Sequence, residues 1–409
     1  MTRQHTYSFS ILSLLAQRLL SACAVVCLLA ACTMEPPLHL VDPQKQMSTD
    51  FSKIVVDMDV LWDYELEYDW QSEWIYGWDE IDDEMYGKWD IVEPKVFNIR
   101  RYFTGEDPRA AHSSVLSDIV EGKTFKASYK FGYYDLLVWN DVETIDGVQS
   151  LHYDESTTLE YVTAYTNQSM MRTNAPSRIQ VQNPHYAPGL AFYQPEFLFA
   201  GYYEDLHVTD NPDDYDYVLD DVWYKHIPLV LTPVTYIYLP QIILHHNRGK
   251  IAQIDGTGNL TGMASAVNMN THVTSHEDIS VNHTLRMKTN VDYTRDGRNE
   301  KVDIIGGRAM TFGLTGCDPY NITRADGSYE KHVASSKVRN YLEVNMIFNN
   351  GKDSTLVFDV TDQVKEHYKG GVLTIHLDCD TITVPARKGG SGFDAVVMDS
   401  EEVTYEFDM

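Results

Sequence analysis

Residues 344–360 read VNMIFNNGKDSTLVFDV, and this stretch indicates the fold more directly than any other. Two apolar runs, 344–348 and 355–360, flank the pair Asn350-Gly351. An Asn-Gly pair between two such runs is the strongest short-range signal for a two-residue β-hairpin turn. We therefore expect two antiparallel strands here, joined by a tight turn.

Short runs with the composition of strands recur along most of the chain, separated by turn residues. In the first of them, apolar residues at 54, 56, 58, 60 and 62 fall on one face at period two, with Asp57 and Asp59 on the other, which is the pattern of a half-buried strand. The other predicted strands are residues 95–103, 123–130, 133–139, 157–164, 198–208, 279–287, 301–311, 341–348, 372–377 and 381–384. Many short strands and almost no amphipathic helix predict an all-β chain of sandwich type.

One short helix is expected at residues 362–368. Thr361 precedes it as a candidate N-cap, and Gly370-Gly371 follows it as a stop signal.

The segment before residue 33 has the features of a bacterial lipoprotein signal. An apolar run, 19–28, leads into Leu29-Ala30-Ala31-Cys32 and is too short to cross a bilayer as a permanent helix. A cysteine directly after Leu-Ala-Ala is the lipoprotein box, cleaved between Ala31 and Cys32 so that the Cys32 thiol takes diacylglycerol. We expect lipidation at Cys32; the alternative is a plain signal peptide with an incidental cysteine.

The composition excludes some classes of partner. The 409-residue chain has 60 acidic and 32 basic residues, a formal net charge of −28. This charge repels nucleic acid and anionic headgroups, so we expect no nucleic-acid partner and membrane association only through the lipid anchor.

The length predicts at least two domains. Residues 1–31 are expected to be the signal peptide and 32–52 a tether containing Pro36-Pro37. A first sandwich, 53–209, carries an acidic, aromatic insertion at 63–93. Residues 210–221, acidic and containing Pro212, are the candidate linker to a second sandwich, 222–409.

The insertion contains the main candidate binding residues. Trp70, Trp74 and Trp78 recur every four residues beside acidic side chains, a pattern that suits stacking on glycan rings. A second reading is calcium held by the carboxylates at positions 79, 80, 82, 83 and 84, although no EF-hand spacing is present. The third reading is a loop whose tryptophans pack on the sandwich while its acids face water.

The remaining candidates are histidines and cysteines. His272, His276 and His283 have no convincing zinc spacing, because residues four apart on a strand cannot share one ion, and His245-His246 is weaker still. We therefore expect no metal and no cofactor. Cys317 and Cys379 remain in the mature chain and could form a disulfide or stay as two buried thiols.

No catalytic motif is present: the sequence contains no G-x-S-x-G, H-E-x-x-H, P-loop or G-x-G-x-x-G pattern. We therefore expect a binding protein and not an enzyme.

Four stretches resemble a known group of proteins. Residues 132–141, GYYDLLVWND, resemble the G-Y-Y-D-L-L-x-W-N strand of Bacteroidales surface lipoproteins, a family akin to fimbrillin-type pilus anchor and minor subunits. Residues 258–264 (GNLTGMA), 358–364 (FDVTDQV) and 382–385 (ITVP) with 389–393 (GGSGF) follow the second half of that pattern in order.

The resemblance implies two tandem transthyretin-like (Greek-key) β-sandwiches, lipid-anchored at the outer membrane and facing the cell surface. It also implies a fimbrial anchor or minor subunit that joins fimbrial subunits or other envelope proteins by β-strand addition in pilus assembly and adhesion. The alternative function is a surface glycan-binding lipoprotein that uses the tryptophan-rich insertion.

Overall fold

The structure is a computed structural model. It describes residues 51–58, 70–86, 94–122, 124–142, 150–154, 158–168, 190–219, 222–227, 229–295, 297–318, 338–385 and 396–399. No helix in these ranges is long and apolar enough to span a bilayer.

The described chain consists mainly of strands, which confirms the predicted all-β sandwich class. The strands in chain order are β1 (Phe51–Met58), β2 (Val96–Gly105), β3 (Ser114–Glu121), β4 (Thr124–Lys130), β5 (Gly132–Asn140), β6 (Leu151–Asp154), β7 (Thr163–Thr166), β8 (Ala191–Tyr193), β9 (Phe199–Val208), β10 (Tyr217–Leu219), β11 (Val222–Ile227), β12 (Thr232–Pro233), β13 (Tyr236–His245), β14 (Ile251–Ala264), β15 (Ala266–Asn268), β16 (Asp278–Arg295), β17 (Arg298–Gly307), β18 (Ala309–Thr311), β19 (Tyr341–Phe348), β20 (Asp353–Asp359), β21 (Gly371–Asp378) and β22 (Val396–Asp399). Two short helices accompany them, α1 (Glu80–Tyr86) and α2 (Thr361–Glu366).

Two sheets form the N-terminal sandwich. One has the strand order β10-β11-β1-β4 and the other β12-β9-β5-β2-β3. Buried residues of both sheets meet in one cluster that includes Phe97 of β2, Tyr129 of β4, Leu136 of β5 and Ile227 of β11. Alternation along each strand directs these side chains inward, as the sequence pattern predicted.

The five-stranded sheet is covered on its other face as well. Leu137 and Trp139 of β5 pack in a second cluster with Val267 of β15 and Phe312. The small sheet β15-β7-β6 adds Ala164 to this cluster. Because this cluster joins residues from both halves of the sequence, the predicted division into two tandem domains stays a prediction.

The second half of the chain forms one large sheet of ten strands. Its path is β18-β13-β17-β16-β14-β19-β20-β22, with β21 beside β13 and β8 beside β16. Residues from β13 and β21 pack against residues from β14, β19 and β20 in a single buried cluster, so the sheet encloses its own core. Tyr238, Leu260, Val344 and Phe358 are among its members, each fully buried.

The hairpin at residues 344–360 is present, with a three-residue loop instead of the predicted two. Strands β19 and β20 pair from Tyr341↔Asp359 to Ile347↔Asp353. The Phe348 N–H donates to the Lys352 carbonyl (2.7 Å), which leaves residues 349–351 as the loop. Gly351 has φ +74°, so this glycine forms the bulge that typically closes a three-residue hairpin loop.

The predicted helix is also present, at Thr361–Glu366. Thr361 is the first helical residue and Val360 the N-cap position, one residue before the predicted cap. Gly370 follows with φ +96°, consistent with its predicted role as a stop.

The predicted linker requires a correction. Residues 217–219 form β10, which pairs with β11. Strand β11 lies beside β1, and its Ile227 is buried in the core of the N-terminal sandwich. Strands β10 and β11 therefore belong to the first sandwich, because Ile227 of β11 is buried there.

Candidate functional site

The five-stranded sheet ends on a long strand with an open edge. Strand β3 pairs with β2 along its whole length, from Ser114 to Glu121, and is the last strand of its sheet. Its other edge carries backbone N–H and C=O groups that no described strand pairs. Leu116 and Ile119 expose 47% and 73% of their surface on this strand. A long apolar edge of this kind can accept an added strand.

A buried arginine holds this edge in place. Arg101 of β2 is 6% exposed, and its Nε and Nη2 donate to Asp118 Oδ2 on β3 at 3.1 and 2.8 Å. Its Nη1 donates to the Ser128 carbonyl of β4 at 3.0 Å, and the guanidinium lies 4.8 Å from the Tyr129 ring centroid. The edge is therefore a fixed surface rather than a loose hairpin.

A second apolar edge lies on the four-stranded sheet. Strand β10 is its terminal strand, and among the described strands it pairs with β11. Tyr217, Val218 and Leu219 expose 56%, 46% and 55% of their surfaces. The Tyr217 ring stacks on Tyr224 of β11 with centroids 4.4 Å apart. This edge is only three residues long, so it offers fewer backbone groups than β3.

The first and last described strands each lie parallel to a neighbour. Strand β1 is parallel to β11, and β22 is parallel to β20 at the end of the large sheet. Parallel neighbours cannot be joined by a tight turn and need a long connection. Both sheets therefore include a strand that is supplied by a distant part of the chain.

The tryptophan-rich segment packs against the outer face of the large sheet. Trp74 and Tyr76 are 8% and 2% exposed, and Trp70 and Trp78 are half-buried against the same cluster. The Tyr76 ring lies on Gly306, where an added Cβ would come within 2.4 Å of it. Trp74 has almost no open face for a sugar ring. Glycan contact by Trp70, Trp74 and Trp78 stays a prediction that this packing does not favour.

One buried glutamine of the sheet binds the backbone of this segment. Gln241 of β13 is fully buried, and its Oε1 accepts hydrogen bonds from the Ile75 and Tyr76 N–H groups at 2.9 and 3.1 Å. Its Nε2 donates to the Glu73 carbonyl at 2.7 Å and to Thr374 Oγ1 at 2.8 Å. The carboxamide thus pairs backbone groups that burial would otherwise leave unsatisfied.

The acidic side chains of the same segment form a buried ion cluster with β16. Asp82 is fully buried, and its carboxylate accepts from Arg286 Nε at 3.0 Å, Lys288 Nζ at 2.9 Å and the Tyr76 hydroxyl at 2.6 Å. Asp79 accepts from Arg286 Nη2 at 2.5 Å and from Lys288 Nζ at 3.1 Å. Two carboxylates therefore meet two cations of the chain.

The electrostatics of this cluster argue against the calcium reading of Asp79 and Asp82. Burial acts to raise the pKa of Asp79, but hydrogen bonds from Arg286 and Lys288 hold that pKa well below its ordinary value. Burial and the hydrogen bond to Asp82 raise the pKa of Tyr76, so its phenol stays protonated and donates. The chain's own cations occupy the positions that a calcium ion would need. Glu80, Asp83 and Glu84 are exposed.

The three histidines singled out in the sequence do not form a metal site in the described part of the chain. His272 and His283 are 5% and 2% exposed. Burial lowers the pKa of each to about 4, so both are neutral core residues at pH 7. His276 is exposed.

A different histidine does meet acidic side chains. His246 lies close to Asp378 and Asp380, with one ligand atom from each residue within 4.8 Å of the other two. No local pattern groups them, because 132 positions separate His246 from Asp378.

Cys317 and Cys379 are both buried and unbridged. Burial raises the pKa of the Cys317 thiol to about 11 and that of Cys379 to about 12, so neither is a reactive thiolate at pH 7. A disulfide between Cys317 and Cys379 stays a prediction. Ala31 and Cys32 lie outside the described residues.

No protein-family model matches the sequence, and no curated protein matches it significantly. Solved structures do resemble the fold. A candidate adhesin from Bacteroides ovatus ATCC 8483 is 12% identical with a TM-score of 0.43, over 86% of this chain and 94% of that one. A candidate adhesin from Bacteroides thetaiotaomicron VPI-5482 is 11% identical with a TM-score of 0.42, over 81% and 92%.

The fimbrial anchor protein Mfa2 from Porphyromonas gingivalis is 10% identical with a TM-score of 0.40, over 80% of this chain and 90% of that one. A likeness at this level assigns no residue a role. The three neighbours are thus two candidate adhesins and one fimbrial anchor protein.

Proposed function

We propose that this chain is a lipid-anchored cell-envelope protein of the fimbrial type, which binds fimbrial subunits or other envelope proteins by β-strand addition. The observation that supports this proposal most directly is the open edge of β3. Its eight residues have a partner on one side only among the described strands. Backbone hydrogen bonds along that edge would supply affinity, and alternating side chains would supply specificity.

The exposed side chains of β3 support a protein partner. Natural edge strands usually carry charges, prolines or bulges that discourage pairing. Here Ile119 is 73% exposed at the middle of the strand and Leu116 is 47% exposed. The charged residue nearest to them, Asp118, is held by Arg101 at 2.8 Å and does not form a repulsive free charge on the edge.

The lipoprotein box supports the anchor. Acylation at Cys32 would hold the chain at the outer membrane, since several buried acyl chains together bind a bilayer firmly. The proposed role is binding without chemistry. The buried histidines and thiols of the described residues are neutral at pH 7, as expected of structural groups.

Site-specific photo-crosslinking tests the edge. A photoreactive amino acid is placed at Ile119 in the lipidated protein in its native membrane, and at Ile81 as a matched control. Ile81 is also an exposed isoleucine, at 51%, but it lies on α1. We expect crosslinked fimbrial or envelope proteins from position 119 and not from position 81. Equal crosslinking from both positions, or none from position 119, would contradict strand addition at β3.

Metabolic labelling tests the anchor separately. Labelled palmitate should enter the unaltered protein and fail to enter Cys32→Ser. Labelling that persists in Cys32→Ser would show that another residue is the lipid site.

A further inference from the structure

The ends of β13 and β21 bring together three side chains that are suited to a metal ion. The two strands are parallel over eight residue pairs, from Tyr238↔Gly371 to His245↔Asp378. His246 follows β13 directly, and Asp380 lies two residues beyond Asp378 in a short 3-10 helix. The register of the pair therefore places the two turns side by side.

The distances suit a single coordination sphere. His246 Nδ1 and Asp378 Oδ1 are 3.1 Å apart, and all three ligand atoms, including one from Asp380, lie within 4.8 Å of one another. An ion with ligands at about 2.0–2.2 Å holds neighbouring ligands about 3.0–3.5 Å apart. The His246–Asp378 distance already has this value, and the Asp380 side chain beside them is exposed.

The charges also favour a cation. The Asp378 side chain is 12% exposed and has no lysine or arginine partner among the described residues. Its Oδ1 contacts His246 and accepts from the Asp380 N–H at 3.0 Å. The nearby ammonium of Lys250 donates to the Cys379 carbonyl at 2.6 Å. In the Asp79–Asp82 cluster both cations form ion pairs with the carboxylates, whereas here Lys250 is bonded to a backbone carbonyl and the ion-pair partner of Asp378 is the His246 imidazole.

We propose that His246, Asp378 and Asp380 form a binding site for a divalent transition-metal ion such as zinc. One imidazole and two carboxylates are ligands that zinc accepts, while calcium prefers oxygen ligands alone. The His246 side chain is 39% exposed and Asp380 is exposed, so water can complete the coordination. A bound ion ties the turn after β13 to the turn after β21.

Calorimetric titration with zinc chloride tests the site. Full-length protein is used in which Cys23, Cys27 and Cys32 are replaced by serine in every sample, so that these three thiols cannot compete for zinc. We expect one zinc ion per chain. Asp378→Asn and His246→Ala should each weaken zinc binding at least tenfold, and His276→Ala, at an exposed histidine elsewhere, should leave it unchanged.

The exposed Asp380 provides a variant that is expected to keep its fold. Without zinc, Asp380→Asn should unfold at the same temperature as the parent protein. Zinc should raise the midpoint of the parent, because an ion that binds only the folded state stabilises it, and should raise that of Asp380→Asn much less. The proposal is overturned if zinc does not bind at millimolar concentration, or if the His246 and Asp380 variants bind it as tightly as the parent.

Discussion

Two apolar surfaces of this protein differ in whether described residues of the chain cover them. The outer face of β13 and β17 is covered by residues 70–86 of the same chain, which contribute Trp74, Tyr76 and a buried ion cluster. The edge of β3 has no such cover among the described residues, and Ile119 projects from it with 73% of its surface exposed. Both surfaces are apolar, yet among the described residues the chain itself covers only the first.

The difference separates structural contacts from contacts that are open to a partner. On the covered face Gln241 pairs three backbone groups, and Asp82 is matched by Arg286 and Lys288. The buried carboxylate of Asp82 and the backbone groups of residues 73, 75 and 76 therefore have partners within the chain. On the β3 edge the polar groups that lack a described partner are backbone groups in a row, which another strand can satisfy.

The largest expected loss of stability follows from breaking the ion cluster of Asp79, Asp82, Arg286 and Lys288. Asp82→Asn removes a fully buried carboxylate and leaves Arg286 and Lys288 with a single acidic partner. We expect the free energy of unfolding to fall by about 3–5 kcal/mol, as when one partner of a buried ion pair is removed. Urea unfolding measures this loss.

Glu84→Gln is the matched control for that variant, because Glu84 is an exposed acid on the same helix. Its stability should change by no more than about 0.5 kcal/mol. Equal losses for the two variants would mean that residues 70–86 do not bind the sheet through Asp82.

A smaller loss in the free energy of unfolding is expected where residues 70–86 contact the backbone of the large sheet. In Gly306→Ala the new Cβ would come within 2.4 Å of the Tyr76 ring. The ring must move, and overpacking of this kind costs about 1–3 kcal/mol. Gly256→Ala is not a suitable control, because Gly256 has φ +90° and an alanine there would be strained. The control is therefore a double variant, Gly306→Ala with Tyr76→Ala, which removes the ring that the new Cβ would meet. The two substitutions should cost less together than the sum of their separate losses in free energy of unfolding.

The stability of the large sheet should also respond to mild acid. The pKa of His283 falls from 6.5 to about 4 on burial, so between these values the unfolded chain binds a proton that the folded chain does not. Stability contributed by the neutral histidine is therefore complete above about pH 7 and is lost as the pH falls toward 4. The pKa of Asp79 is lowered, so the stability that its carboxylate contributes is lost only below about pH 4.

Urea unfolding at several pH values checks this expectation. His283→Gln should flatten the slope of stability between pH 7 and pH 4.5. His276→Gln, at an exposed histidine, should leave most of the slope in place. A slope that is unchanged in His283→Gln would assign the acid sensitivity to other groups.

The smallest effect on stability is expected at the open edge. Ile119→Lys places a charge where the side chain already faces water, so the free energy of unfolding should change by less than about 0.5 kcal/mol. The same substitution should reduce recovery of partner proteins with the lipidated chain, because lysine on an edge opposes strand pairing. A large loss of stability would show that Ile119 is packed, and the comparison between the two surfaces would fail.

Much of the local structure was predictable. The alternation of residues 95–103 and 133–139 corresponds to β2 and β5, and the Asn-Gly pair marked the hairpin between β19 and β20. Turn chemistry and side-chain period are local properties, so a sequence displays them directly. The error at the hairpin was one residue, since Gly351 serves as the bulge of a longer loop.

Local sequence patterns predicted the functional site less well. The tryptophans at 70, 74 and 78 fit a sugar platform as well as a packed segment until Gln241 and Gly306 are seen beneath them. The linker at 210–221 looked polar and proline-containing, yet β10 and β11 complete the first sandwich. In both cases the deciding contact is made by a residue far away in the sequence.

The sequence by itself determined that this chain is built from short strands, that its net charge is strongly acidic, and that it contains the motif of a lipoprotein box at Cys32. The tertiary structure alone decided which acids are neutralised and which are open, which strands remain at the edges, and which side chains meet. The reason is physical: strand formation follows from local alternation, whereas the pairing of Asp82 with Arg286, or of His246 with Asp378, depends on long-range strand register that no local pattern encodes.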